Sequence, residues 1–194
     1  MQTVRLWILG LVISCSLVLA QGSAPALGTS TVKALTGIAA EQFDAAFTSS
    51  LLEYLDGAYT LVQEELVVGQ RSQVKRLADQ LFDDLTADRK TLEQHLKETK
   101  AVPSATWRGL MREDQRAVVA YGLGRIVAGH DMNMSPDKDR SFLEAMIQHH
   151  EGGLALWKLG SSRAVQPELR RFVQNQLEMQ DKAIGVYRSM LGQL

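Results

Sequence analysis

The chain has 194 residues, 45% of them hydrophobic and 22% charged, with a formal net charge of -1; this is long enough to bury one core and is most simply one domain. Acidic and basic residues are interspersed, so no basic patch marks it for nucleic acid or anionic lipid. The single cysteine, Cys15, excludes internal disulfides, and once it leaves with the leader described next, thiolate chemistry is excluded as well.

Arg5 gives a short basic start, and Leu6 to Ala20 form an apolar run ending in the small-residue pattern Val18-Leu19-Ala20. Residues 1–20 therefore read as a signal peptide, with a periplasmic or secreted destination. The run is short for a membrane span, so no membrane insertion is expected after signal removal. Val12-Ile13-Ser14-Cys15 also resembles a lipobox, which makes a lipoprotein anchored through Cys15 the alternative; against it, Ser16 to Ala20 stays apolar.

Residues 21–35, rich in Gly, Pro, Ser and Thr, suit a flexible tether. Apolar residues from Phe43 to Val62 recur every three or four positions and predict a helix ending near Gly69. Ser72 has the character of an N-cap, and Val74 to Leu96 define a second helix, so residues 40–100 form hairpin one. Residues 101–135 read as a long connection, with a short helix at Gln115 to Val127 weakened by Gly122 and Gly124. Ser135-Pro136-Asp137 reads as N-cap, N1 proline and first-turn acid. A third helix then runs to about Gly160, and a fourth starts at Pro167, giving hairpin two at 136–194.

A shift of 95 positions superposes the hairpins without a gap: Asp44, Phe47, Leu51, Tyr54, Leu55 and Ala58 fall on Asp139, Phe142, Met146, His149, His150 and Gly153. Neither hairpin can bury its apolar faces alone. The expected fold is all-α: a four-helix bundle at residues 36–194, made of two related helical hairpins joined by a long connection.

Chemistry concentrates in the second copy. Three of the four histidines and three of the seven methionines fall between His130 and His150. Met146, His149 and His150 stand at i, i+3 and i+4 and emerge on one helical face. Antiparallel pairing brings Met179 level with about residue 147, and Met190 level with about residue 136 beside Met132 and Met134. Thioether and imidazole together favour copper, Cu(I) above Cu(II), and by the same softness silver as a surrogate. The ordinary alternatives are methionine as core filler and a histidine pair hydrogen-bonded by Gln176 or Gln180. A di-iron carboxylate site lacks its Glu-x-x-His pairs, and His150-Glu151 lacks the second zincin histidine because position 154 is leucine.

The run Asp139-x-x-Phe142-x-x-x-Met146-Ile147-x-His149-His150-Glu151-Gly152-Gly153, preceded by His130-x-Met132-x-Met134 and followed by Gln176, Glu178, Met179, Gln180 and Met190, resembles the domain of unknown function 305 (DUF305) family. The resemblance implies a secreted, ferritin-like four-helix protein of a kind in which some members bind copper in the periplasm. It implies metal roles for Met146, His149 and His150, with His130, Met132, Met134 and Met179 as additional ligands. The chain departs from the fuller pattern at Leu51, Tyr54 and Leu55, which puts a second site in doubt, and at Gly153, where the family more often has alanine. The expected function is extracytoplasmic copper buffering, storage or delivery with a metal ion as partner and no catalysis; homo-oligomer formation is left open. The alternative is a metal-free interaction module of the cell envelope, docking through the bundle surface or the mostly apolar segment from Val118 to Val127.

Overall fold

The computed structural model describes residues 28–124 and 137–194. The signal peptide with Cys15, the first part of the tether, and His130, Met132, Met134, Ser135 and Pro136 lie outside the described residues. Among those described there are six helices and no strand: α1 (Thr29–Thr36), α2 (Ala40–Val68), α3 (Ser72–Glu98), α4 (Ala105–Gly122), α5 (Lys138–Arg163) and α6 (Pro167–Leu191). The molecule is all-α. None of these helices is long and apolar enough to cross a membrane.

Two helices are buried around most of their circumference, and the rest pack on them. Phe43, Phe47, Leu51, Tyr54, Leu55, Leu61 and Val62 of α2, and Phe142, Leu143, Met146, His149, Leu156 and Trp157 of α5, are all buried; a helix apolar on all sides belongs at the centre. The amphipathic α3 packs on α2 and α6 packs on α5, as the two expected hairpins, while α4 lies against both α2 and α5. α3 and α6 barely meet, which leaves a cleft between them.

The repeat is built into the caps. Asp44, at the start of α2, accepts the backbone N–H of Val165 (2.9 Å) and Gln166 (2.8 Å) at the start of α6. Asp139, its twin at the start of α5, accepts the backbone N–H of Gln70 (2.9 Å) and Arg71 (3.2 Å) at the start of α3. Val165 and Gln166 are themselves 95 positions beyond Gln70 and Arg71. Each hairpin's first helix thus caps the other hairpin's second helix, α2 and α5 run antiparallel, and the halves are related by an approximate two-fold axis. These bonds satisfy N–H groups that a helix start otherwise leaves orphaned.

Several expected boundaries are corrected. Ser72 is not an N-cap: Arg71 holds that position, without a side-chain cap of its own, because Asp139 supplies the acceptor. The cap of α5 is Asp137, which accepts from Arg140 N–H at 3.1 Å. α5 does not break at Gly160 but continues to Arg163. Residues 29–35 are not tether but α1, held by Asp114, which accepts from Thr31 N–H and Oγ1–H (both 2.8 Å), and by Arg163, which donates to the Leu35, Thr36 and Ile38 carbonyls. α4 begins at Ala105, capped by Ser104, ten residues before the expected Gln115. Val118 and Tyr121 of α4 are buried, so the apolar stretch assigned to partner docking is spent inside the molecule over the described residues.

Candidate metal centre

His149 and His150 lie midway along α5, where it crosses α2. Their positions follow from helical spacing: consecutive residues diverge by about 100° around the axis, so His149 turns toward α2 and His150 toward α6. His149 is wholly buried and stacks on Tyr54, with ring centroids 4.0 Å apart and planes 20° apart. Tyr54 is the residue that the 95-position shift equates with His149, so the two equivalents meet face to face near the approximate two-fold axis. The Tyr54 hydroxyl donates to the His149 carbonyl at 3.0 Å.

Neither ring nitrogen of His149 has a hydrogen-bond partner. A neutral imidazole carries one N–H donor and one lone pair, and leaving each unpaired in the interior costs about 1–3 kcal/mol. The expected glutamine partners do not help: Gln176 Nε2 donates to both carboxylate oxygens of Asp88 (2.8 Å each), and Gln180 Oε1 is itself unpartnered. For His150, Nδ1 lies 2.9 Å from the Met146 carbonyl. A carbonyl only accepts, so Nδ1 carries the proton and the lone pair sits on Nε2, 3.4 Å from the Tyr187 hydroxyl. Burial, with His150 nearby, holds His149 well below its usual pKa of 6.5; burial likewise brings His150 down to about 4, against the opposing Met146 bond. Both imidazoles are neutral at pH 7, the state that ligates a metal.

The cleft between α3 and α6, about 290 Å³ in volume, has both histidines in its lining, together with Tyr54, Trp157 and Tyr187. Met179 also lines it and is 49% exposed, so its thioether reaches the mouth. Met146 is fully buried and packs in the core behind the histidines rather than in the cleft lining. Met190 is half-buried against the same core. Of the seven expected ligands, four are among the described residues, and His149, His150 and Met179 share one cavity. Among the described residues there is no group of three or more His, Cys, Asp or Glu side chains placed to hold an ion.

A family model for the domain of unknown function 305 matches residues 97–191. Over these residues the chain belongs to the DUF305 family. A DUF305 fragment from Deinococcus radiodurans aligns at TM-score 0.64 and 22% identity, over 78% of this chain and 96% of that one. A DUF305 protein of Streptomyces coelicolor, described as secreted, aligns at TM-score 0.65 and 18% identity, over 80% of this chain and 95% of that one. No curated protein matches. The DUF305 match takes in α4, α5 and α6, while α2 and most of α3 precede it, so half of the cleft lies outside the matched residues. Tyr54 on α2 and Asp84 and Asp88 on α3 belong to that half. The sequence reading placed the site on α5 and α6 with the lead-in loop; the cleft draws on α2 and α3 as well. Tyr54 was findable, since it stands opposite His149 in the repeat, but nothing in a linear sequence says that equivalent residues touch.

Proposed function

We propose that this DUF305 protein binds copper, Cu(I) before Cu(II), in an extracytoplasmic compartment, for buffering, storage or delivery rather than turnover. The observation that carries the reading is His149: a buried, neutral imidazole with two unpartnered nitrogens, beside a second neutral imidazole, His150, that lines the same cleft and keeps its lone pair on Nε2. A soft cation would be held by His149, His150 and Met179, with Met146 one turn earlier on α5 and His130, Met132 and Met134 supplied by the lead-in loop. When bound, the metal would give the His149 lone pair the partner it lacks. The chain's own part is to keep the imidazoles unprotonated, fix the His150 tautomer through Met146, and hold Tyr54 flat against His149.

The four long helices support a ferritin-like four-helix bundle to which α1 and α4 are added, and the apolar leader supports export. The test is Cu(I) competition against a chromophoric chelator, comparing the protein with a His149→Ala/His150→Ala/Met146→Leu variant. The variant should lose the tight site; equal stoichiometry and affinity in both proteins would overturn the reading.

A further inference from the structure

The cleft has a second wall, of different chemistry from its imidazole floor. Asp84 and Asp88 stand one turn apart on α3 and line the cavity across from His149, His150 and Tyr187. Side chains four residues apart on a helix are neighbours, and two like charges there repel. The Asp84 charge acts on Asp88 and on Tyr187, which puts it within the cleft's electrostatic reach. Burial first and Asp84 second push Asp88 up to about 6, the behaviour of a carboxylate that lacks a compensating cation.

Among the described residues neither carboxylate forms an ion pair; Lys182 also lines the cleft but bonds to neither. Asp88 has only the neutral amide of Gln176, reaching over from α6. Gln180, on the next turn of α6 and only 6% exposed, lines the same cavity, and its Oε1 is buried without a hydrogen-bond partner. Oxygen acceptors therefore gather along the cleft with one neutral amide and no ion pair among the described residues to match them, while the nitrogen and sulfur donors lie on its floor and at Met179. Hard divalent ions take carboxylate and amide oxygens and keep part of their water. At about 30 Å³ per water, the cleft has room for an ion with several waters.

We propose that Asp84, Asp88 and Gln180 form an oxygen-lined subsite for a hydrated divalent cation, separate from the imidazole and thioether donors of the same cleft. The subsite does not depend on copper binding at the floor.

Manganese(II) is the probe, because it prefers oxygen and broadens nearby NMR signals. Titrated into the ¹⁵N-labelled protein, it should broaden backbone amides around Asp84, Asp88 and Gln180 before those near other exposed acidic residues. Asp84→Asn/Asp88→Asn should weaken Mn(II) binding about tenfold or more by removing both charges. That variant relieves a like-charge pair, and a urea midpoint no lower than the parent's should confirm that it folds. Gln180→Leu provides an independent variant with the charges left in place and should also weaken Mn(II). His149→Ala/His150→Ala should leave Mn(II) affinity within about twofold. Broadening spread over the acidic surface without preference, Mn(II) affinity unchanged in both the Asn and Leu variants, or Mn(II) binding lost in the histidine variant would each overturn the proposal. Mn(II) binding in a protein that takes up no Cu(I) would uphold this subsite and overturn the copper reading.

Discussion

Gly153 sets how closely Tyr54 approaches His149. A Cβ at position 153 would lie 2.6 Å from Tyr54 Cζ and closer still to the hydroxyl, a separation that atoms do not tolerate. Gly153→Ala should therefore push the ring off His149 and cost about 1–3 kcal/mol of stability through overpacking. In a Tyr54→Leu background the same change should be neutral or favourable by up to about 1 kcal/mol, since alanine is the better helix residue. Urea denaturation of the double-mutant cycle measures this; additive effects would show that Tyr54 and Gly153 do not constrain each other. At this scale the sequence reading went partway. The unusual residue types at 146, 149 and 150 were visible, and so was the departure at Gly153. What Gly153 accommodates was not, because Tyr54 is 99 positions away and meets it only through the packing of α2 on α5. Met146 shows the opposite limit: helical spacing put it on the face of the histidines, but depth in the core is a property of the neighbouring helices.

The helices were legible from periodicity, and their ends were not. Ser72 had the right chemistry for a cap, yet the acceptor at the start of α3 comes from Asp139, 67 positions later. α4 was expected only from Gln115, and Gly122 and Gly124 counted against it. Gly122 is required, since a Cβ there would meet Leu61 and lie 2.8 Å from the Ala145 Cβ, while Gly124 lies beyond the helix end. The exchanged caps give a prediction for elements rather than residues. Asp44→Ala should destabilise by about 0.5–2 kcal/mol, the usual worth of a cap. Asp139→Ala should cost more, because Asp139 is fully buried and also pairs with Arg71 at 2.7 Å. Asp44 and Asp139 sit at opposite ends of the α2/α5 pair, about 40 Å apart at 1.5 Å per residue, so the double variant should equal the sum of the two within about 0.5 kcal/mol. A large non-additive term in urea unfolding would mean that the two hairpin ends do not act independently.

For the whole molecule, the Asp139 end carries a pH dependence through Glu65. Glu65, 2% exposed, is pushed from 4.5 up to about 8 by burial and by its hydrogen bond and charge interaction with Asp139. Burial opposes the charged Asp139, but hydrogen bonds from Glu65, Gln70 and Arg71 outweigh it and hold its pKa below the usual range. Between pH 4.5 and about 8 the folded protein keeps a proton on Glu65 that the unfolded chain has released, so stability falls as pH rises through that window. The imidazoles act at the other side: their lowered pKa values make stability fall as pH drops below the unfolded value near 6.5. Denaturation between about pH 7 and pH 8.5 isolates the carboxyl effect. The urea midpoint should decline there in the parent and stay level in Glu65→Gln; equal slopes would assign the decline elsewhere. The same two-fold arrangement has a consequence at its centre. Were the hairpins identical copies, the residue at 149 would confront its own duplicate across the axis, imidazole against imidazole or phenol against phenol. Joining two unequal hairpins in one chain frees that meeting place from self-pairing, so that the aromatic support and the lone-pair donor can be different residues pressed against each other.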